Sequence, residues 1–291
     1  MRLALMVEGQ EGVSWEQWLA LTAACEEHGI EALFRSDHYL SQTAPDERSA
    51  TDAWTLLGAL AARTTQLRLG TLVSPVTFRH PSVLAKAAAT VDHISGGRVE
   101  VGIGAGWMKI EHERYGFPFP VMFERLKDFA GQVEAVDRLL RDDLLTVQRP
   151  RPPLIVGGAA KRGTTGVAAR FADEYNTHSA DPPEAARRRT RLNQACEQVG
   201  RDPGSLRFSL MTPFLVDMQH AEQFVQRYPD AGSAADWFEE LRRRGLAGGP
   251  SELVAGLREF EAAGVERVML QHVVHEDLDV VAELGEIASA L

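Results

Sequence analysis

Eight short apolar runs, each followed by a stretch of helical periodicity, constrain this chain more than any other feature of its sequence. The runs cover 3–7, 32–34, 67–73, 99–103, 154–156, about 174–176, 206–216 and 265–270. Helices are expected over 14–28, from Thr51 or Asp52 to about 64, from Pro81 onward, and over 121–141, 164–171, 183–199, 234–244 and 251–263. Ser14 is the expected N-cap through its side-chain oxygen, and Gly29 the expected C-terminal stop through its lack of one. Strands joined by helices must run parallel, because a parallel pair needs a long crossover. An open doubly wound sheet has the same alternation, but eight units in 291 residues fit a (β/α)8 TIM barrel better. The expectation is therefore an α/β barrel with one domain over 1–291. The proline-rich stretch 149–153 reads as a rigid lead into the fifth strand rather than a linker.

Composition narrows the partners. With 41 acidic against 31 basic residues the net charge is −10, which disfavours nucleic acid and anionic membrane, since phosphate attraction needs clustered positive charge. Cys25 and Cys196 form no CxxC and no bridge framework, and five apolar residues before Glu8 are too few for a signal segment or a membrane span. A cytoplasmic enzyme acting on a small-molecule substrate, without nucleic acid or membrane, is the expectation.

In a parallel barrel, reactive groups gather where the chain leaves the C-terminal ends of the strands. Asp37 and His38 follow the second run; an imidazole there can give or take a proton near neutral pH, while an ordinary Asp-His turn explains the pair as well. Residues 70–77 leave the third run poor in charge, with small groups that let a flat ligand approach. Gly102-Ile103-Gly104-Ala105-Gly106-Trp107 fails the dinucleotide fingerprint, because Trp107 stands where the third glycine belongs. What remains is a strand end without side chains, suited either to a ring lying on the backbone or to barrel packing. Gly157-Gly158-Ala159 precedes a helix, where free amides suit a phosphate, with Lys161 and Arg162 nearby. A tight turn is the alternative, and Thr164 in the lysine position excludes a P-loop. Glu111-His112-Glu113, His272 and His275 match no metal motif, so no metal is expected. No GxSxG elbow is present, and Arg187-Arg188-Arg189 reads as a solvated helix face.

Taken together, these segments resemble the bacterial luciferase-like monooxygenase family, in particular its coenzyme F420-dependent branch. The resemblance runs through Ser36-Asp37-His38, 69–73 with Phe78-Arg79-His80-Pro81, 85–98, 102–107, Glu111-His112, Tyr115-Gly116, 153–158 and 172–176, and covers most of the chain in order. It implies the same barrel, with His38 at the reactive ring of a deazaflavin as the catalytic residue and Asp37 beside it. It also implies a non-prolyl cis peptide at Leu72-Val73 behind the ring, next to Ser74. Ala105 and Trp107 would line the ring pocket, and Gly157, Gly158 and Ala159 would form the phosphate turn. Relatives carry a longer segment before the fifth strand, where only about ten residues intervene here. They are commonly dimers, so a homodimer is implied.

The leading expectation is hydride transfer between F420 and a small organic substrate, with the hard chemistry supplied by the cofactor. FMN in the same site, with oxygen chemistry, is the alternative. A barrel aldolase or lyase would want a lysine at a strand end, but the chain has only four lysines and those near this face, Lys109 and Lys161, lie in loops. A non-catalytic ligand-binding barrel stays open because of the shortened segment.

Overall fold

Each apolar run forms a stave, and the staves pair in parallel because every connection carries a helix. The computed structural model describes residues 1–44 and 46–291. Its strands are β1 (Arg2–Val7), β2 (Ala32–Arg35), β3 (Arg68–Thr71), β4 (Ser74–Pro75), β5 (Val99–Gly104), β6 (Leu154–Gly157), β7 (Glu174–His178), β8 (Arg207–Pro213) and β9 (Arg267–His272). They lie in one sheet in the order β3-β2-β1-β9-β8-β7-β6-β5-β4, and a β3–β5 pairing closes the ring. Because β3 and β4 share the third stave, the nine strands make the eight-staved barrel that the alternation demanded.

The outer ring holds α1 (Trp15–Glu27), α2 (Ala53–Ala61), α3 (Pro81–Ser95), α4 (Lys109–Tyr115), α5 (Met122–Arg138), α6 (Arg162–Phe171), α7 (Pro182–Gln198), α8 (Met218–Arg227), α9 (Ala234–Arg243), α10 (Pro250–Ala262) and α11 (Asp279–Ala290). Local chemistry sets several ends. Ser14 and Gln17 form a reciprocal capping box on α1, and Gly29 past its end lies at φ 71°. Asp52, rather than Thr51, caps α2 by accepting from the Thr55 amide at 2.8 Å. The expectations missed α4, α8 and α11. Residues 104–120 read as loop, yet α4 forms there, and the seventh strand stops at Pro213 instead of 216. α4 is only seven residues long, too short for its helical pattern to stand out, and its Tyr115 packs against Tyr39. The arginine run is also corrected. Arg188 donates to Glu184 and to the His178 carbonyl, and Arg189 donates to the Leu206 carbonyl, so two of the three tie α7 to neighbouring elements. Among the described residues no helix is long and apolar enough to cross a membrane.

Inside the ring, Ala4, Met6, Ala32, Phe34, Leu72, Ile155 and Met269 fill the middle. The N-terminal end is plugged by charge instead. The Arg267 guanidinium donates to Glu100 at 2.7 and 3.1 Å and to Glu174 at 2.7 and 3.1 Å, while Arg68 Nε reaches Glu100 at 2.6 Å. These side chains rise from β3, β5, β7 and β9, so the cluster ties distant staves across the barrel axis. Burial alone would raise the Glu100 pKa; Arg267 and Arg68 override it and hold the carboxyl at about 2. A carboxyl depressed on folding stabilises the native state above its unfolded value, and that stabilisation fades as pH falls toward the folded value.

Glu100→Gln is therefore expected to cost about 3 kcal/mol at pH 7, as breaking a buried pair does. Urea unfolding should also show that the variant loses less stability than the wild type between about pH 4.5 and about pH 2. Equal acid sensitivity in the two proteins would assign the plug no such role.

Candidate active site

The C-terminal face of the barrel is shaped by a break in its third stave. Between β3 and β4 the Leu72-Val73 peptide is cis, where the resemblance placed it. Val73 projects across the ring toward β5 and β6. A Cβ on Gly104 would stand 2.4 Å from Val73 Cγ2, and one on Gly157 would stand 3.0 Å from Val73 Cγ1. On Gly102 a Cβ would meet the Thr71 carbonyl oxygen at 2.0 Å. The glycines of the fourth stave are thus explained by barrel packing, the second of the two readings. Their bare faces receive Val73 and the β3 backbone.

His38 lies on this face just after β2. Its Nδ1 lies 2.9 Å from Glu111 Oε1, and Glu111 Oε2 accepts the Tyr39 amide at 3.0 Å. Glu111 comes from α4 and is fully buried, so its carboxylate has few partners other than these. The pair fixes a tautomer, since Nδ1–H must donate to the carboxylate. Among the described residues His38 Nε2 has no protein hydrogen bond. Burial pulls the His38 pKa down, but the hydrogen bond and charge of Glu111 outweigh it, with Glu8 and Asp37 adding to the rise. The imidazole is thereby biased toward its protonated form. Trp107 is 59% exposed and meets His38 edge-on, with ring centroids 5.5 Å apart. Ala105 is partly buried beside it, directly after β5.

α4 is held in place by its own neighbours. His112 Nδ1 donates to the Met108 carbonyl at 2.7 Å, which leaves Nε2 to accept from the Thr77 hydroxyl at 2.6 Å. Tyr115 of α4 and Phe117 just after it interlock with Tyr39, which also packs on Phe78, with centroids about 5 Å apart.

Asp37 and Ser74 are buried, and their side chains are committed to each other. Asp37 Oδ2 accepts from Ser74 Oγ at 2.6 Å and from Arg79 Nη1 at 2.6 Å, while Ser74 Oγ accepts from Trp54 Nε1 at 3.0 Å. These contacts of Asp37 brace the turn that carries His38. Ser74 has its backbone, not its hydroxyl, to offer a ligand. Leu72 packs into the inner core beneath.

The turn after β6 is partly occupied by its own fold. The Gly158 amide donates to the Asn176 carbonyl at 3.0 Å, and the Ala160 amide to Tyr175 Oη at 2.8 Å. A Cβ on Gly158 would stand 2.7 Å from Tyr175 Oη, so glycine is needed there for packing. Ala159 is left between these two engaged amides. α6 follows without any side-chain cap, and Lys161 and Arg162 at its start are exposed and make no ion pair among the described residues. An uncapped helix start with two uncommitted cations is a donor set that fits a phosphate.

Two carboxylates at this face escaped the sequence reading. Glu111 falls within the resemblance and within no metal motif, but a loop expected over 104–120 gives no reason to pair it with His38. Glu8 directly follows β1 and accepts from Gln10 Nε2 at 2.9 Å and from Gln271 Nε2 at 2.5 Å. Its position at a strand's C-terminal end was the available signal. Among the described residues no group of histidine, cysteine and acidic side chains is arranged to hold a metal.

A family model described as luciferase-like monooxygenase matches residues 3–228. Pyrimidine monooxygenase RutA of Escherichia coli is 33% identical over 178 residues, which take in 53% of this chain and 47% of that protein. The match thus spans about half the length of the curated relative. An F420-dependent secondary alcohol dehydrogenase superposes with a TM-score of 0.80 at 18% identity, covering 99% of this chain and 98% of that one. The monooxygenase RslO1 from Streptomyces bottropensis gives 0.80 at 23% identity, covering 100% and 98%. EDTA monooxygenase from Chelativorans sp. BNC1 gives 0.78 at 14%, covering 100% and 94%. These structural similarities show the fold.

Replacing Glu111 with Gln removes the charge that raises the His38 pKa. NMR titration of the imidazole should find that pKa lower in the variant, so His38 loses its proton at a lower pH. An unchanged titration would detach Glu111 from His38.

Proposed function

The chain belongs to the luciferase-like monooxygenase family, and from that membership we propose that it is an oxidoreductase that exchanges a hydride between F420 and a small organic substrate. The observation that carries this reading is the His38–Glu111 pair, a charge-supported imidazole with Nε2 free, on the same face as Trp107 and the Val73 ridge. When bound, a deazaflavin ring supplies hydride chemistry. In this reading Val73 and Leu72 would support the ring, and Ala105 and Trp107 would border it. Gly157, Gly158 and Ala159 at the start of α6 would hold the phosphate, with Lys161, Arg162 and the remaining amides as donors. His38 holds a proton at Nε2 and passes it to the substrate oxygen that gains charge, while Glu111 keeps the ring in register through Nδ1. Asp37 and Ser74 brace this arrangement from beneath.

FMN with oxygen chemistry is the second reading, favoured by the 33% identity to a pyrimidine monooxygenase. The proposal extends to a homodimer in the cytoplasm that engages neither nucleic acid nor membrane. The buried thiols of Cys25 and Cys196 and the net charge of −10 support that setting.

Spectroscopic titration of purified protein with F420 and with FMN tests the reading. F420 is expected to bind the more tightly, and sedimentation should find a dimer. His38→Ala should keep cofactor affinity while slowing turnover by about 10²-fold or more. Failure of both cofactors to bind would overturn the proposal.

A further inference from the structure

Of the carboxylates around the turn that carries His38, three have a cation within 3 Å. Glu11 is paired with Arg48 at 2.6 Å, Asp37 with Arg79 at 2.6 Å and Glu111 with His38 at 2.9 Å. Glu8 makes no ion pair among the described residues. Its partners are two neutral amides, Gln10 Nε2 at 2.9 Å and Gln271 Nε2 at 2.5 Å. Glu8 is only 5% exposed, so water does little to offset its charge.

The strand geometry puts this acid inside the mouth of the barrel. Ala4 and Met6 of β1 and Met269 of β9 point into the inner core. The period of two carries Glu8 and Gln271 onto the same inward rows, one layer nearer the mouth. The loop after β1 is also tied to the turn that bears His38: the Gly9 amide donates to Ser36 Oγ at 2.9 Å, and Ser36 Oγ donates to Gln10 Oε1. β1 lies between β9 and β2, across the ring from the β6 turn, where Lys161 and Arg162 stand.

A carboxylate can only accept, so both glutamines must turn their NH2 groups toward Glu8. The Gln10 oxygen is then taken by Ser36, whereas the Gln271 oxygen, on the side away from Glu8, makes no protein hydrogen bond among the described residues. Each Glu8 oxygen also keeps a second lone pair. This side of the mouth therefore offers acceptors, carries one uncompensated negative charge and presents no cation to an anion. A desolvated carboxylate without a counter-ion costs free energy, which a cation bearing N–H groups would recover.

We propose that Glu8, with Gln271, selects the substrate of the oxidoreductase described above, and that this substrate carries a protonated amine seated against the Glu8 carboxylate. His38, on the neighbouring stave, serves the carbon–oxygen group that reacts, and the ammonium takes no part in the redox step. A substrate with a carboxylate in that place is repelled. The assignment rests on the oxidoreductase reading for its role in turnover, but the cation site can be measured without turnover.

Propylammonium, propionamide and propionate are close in size and inert to hydride transfer, so they probe the cationic, neutral and anionic classes. Ligand-observed NMR on the protein, with and without cofactor, should show saturable binding of propylammonium, about tenfold tighter than propionamide, and none of propionate. Glu8→Gln keeps the shape and removes a charge that has no counter-ion, so thermal stability should change little while propylammonium affinity falls to the propionamide level. Gln271→Met removes the open acceptor but leaves the charge, and should weaken propylammonium severalfold while keeping it ahead of propionamide. Spectroscopic titration should find wild-type cofactor affinity in both variants. Propionamide or propionate binding as tightly as propylammonium would overturn the proposal, and so would the absence of saturable binding. A propylammonium preference that survives Glu8→Gln in a folded protein also overturns it; should that variant not fold, unaltered propylammonium affinity in Gln271→Met does the same. Selective propylammonium binding by a protein that takes up neither F420 nor FMN would instead remove the oxidoreductase reading and leave Glu8 a cation site.

Discussion

The seating of Val73 on bare backbone governs the reactive face of this barrel. Carbon atoms repel well before they come within 3 Å of each other, so the fourth and fifth staves can approach the third only where they carry glycine. Gly102, Gly104 and Gly157 meet that condition, and the third stave breaks into β3 and β4 around the residue they admit. The break carries Ser74 down to Asp37, and Asp37 to Arg79, so the turn bearing His38 is braced by the same feature that forms the ridge. A methyl group at any of the three glycines would push against all of these contacts at once.

The barrel's two ends follow opposite electrostatic rules. At the N-terminal end Arg267 is bonded to both Glu100 and Glu174, so these charges are committed to one another. At the C-terminal end the charges are left partly open. His38 is bonded on one nitrogen only, and the start of α6 is uncapped beside two cations. A closed network stabilises a fold, whereas one with unused valences can act on a ligand. This asymmetry agrees with the placement of reactive groups at the C-terminal face of parallel barrels.

α4 is the element that turns a packed barrel into a site. It supplies Glu111 to His38 and carries Trp107 just before its start, while His112 and the interlocked aromatics keep it from moving. It was also the least legible element in the sequence. Seven residues flanked by glycine and proline carry too short a pattern to separate helix from loop, and its anchoring contacts come from residues 30 to 75 positions away.

The sequence by itself determined the class of architecture: alternation with crossover-length connections calls for parallel strands, and eight such units favour a closed barrel over an open sheet. It also determined which strand ends carry the candidate site residues, since His38, Trp107 and the Gly157-Gly158 turn all follow apolar runs. Only the tertiary structure decided what those residues do for one another. The glycines at 102 and 104 look equally suited to a ligand or to packing until Val73 is seen lying on them. Asp37 looks as available as His38 until Arg79 and Ser74 claim its carboxylate. Glu111 looks like part of a loop until α4 delivers it to Nδ1. Periodicity is written along the chain in near neighbours and can be read there, but partnership is set by through-space distances that depend on how the whole ring closes.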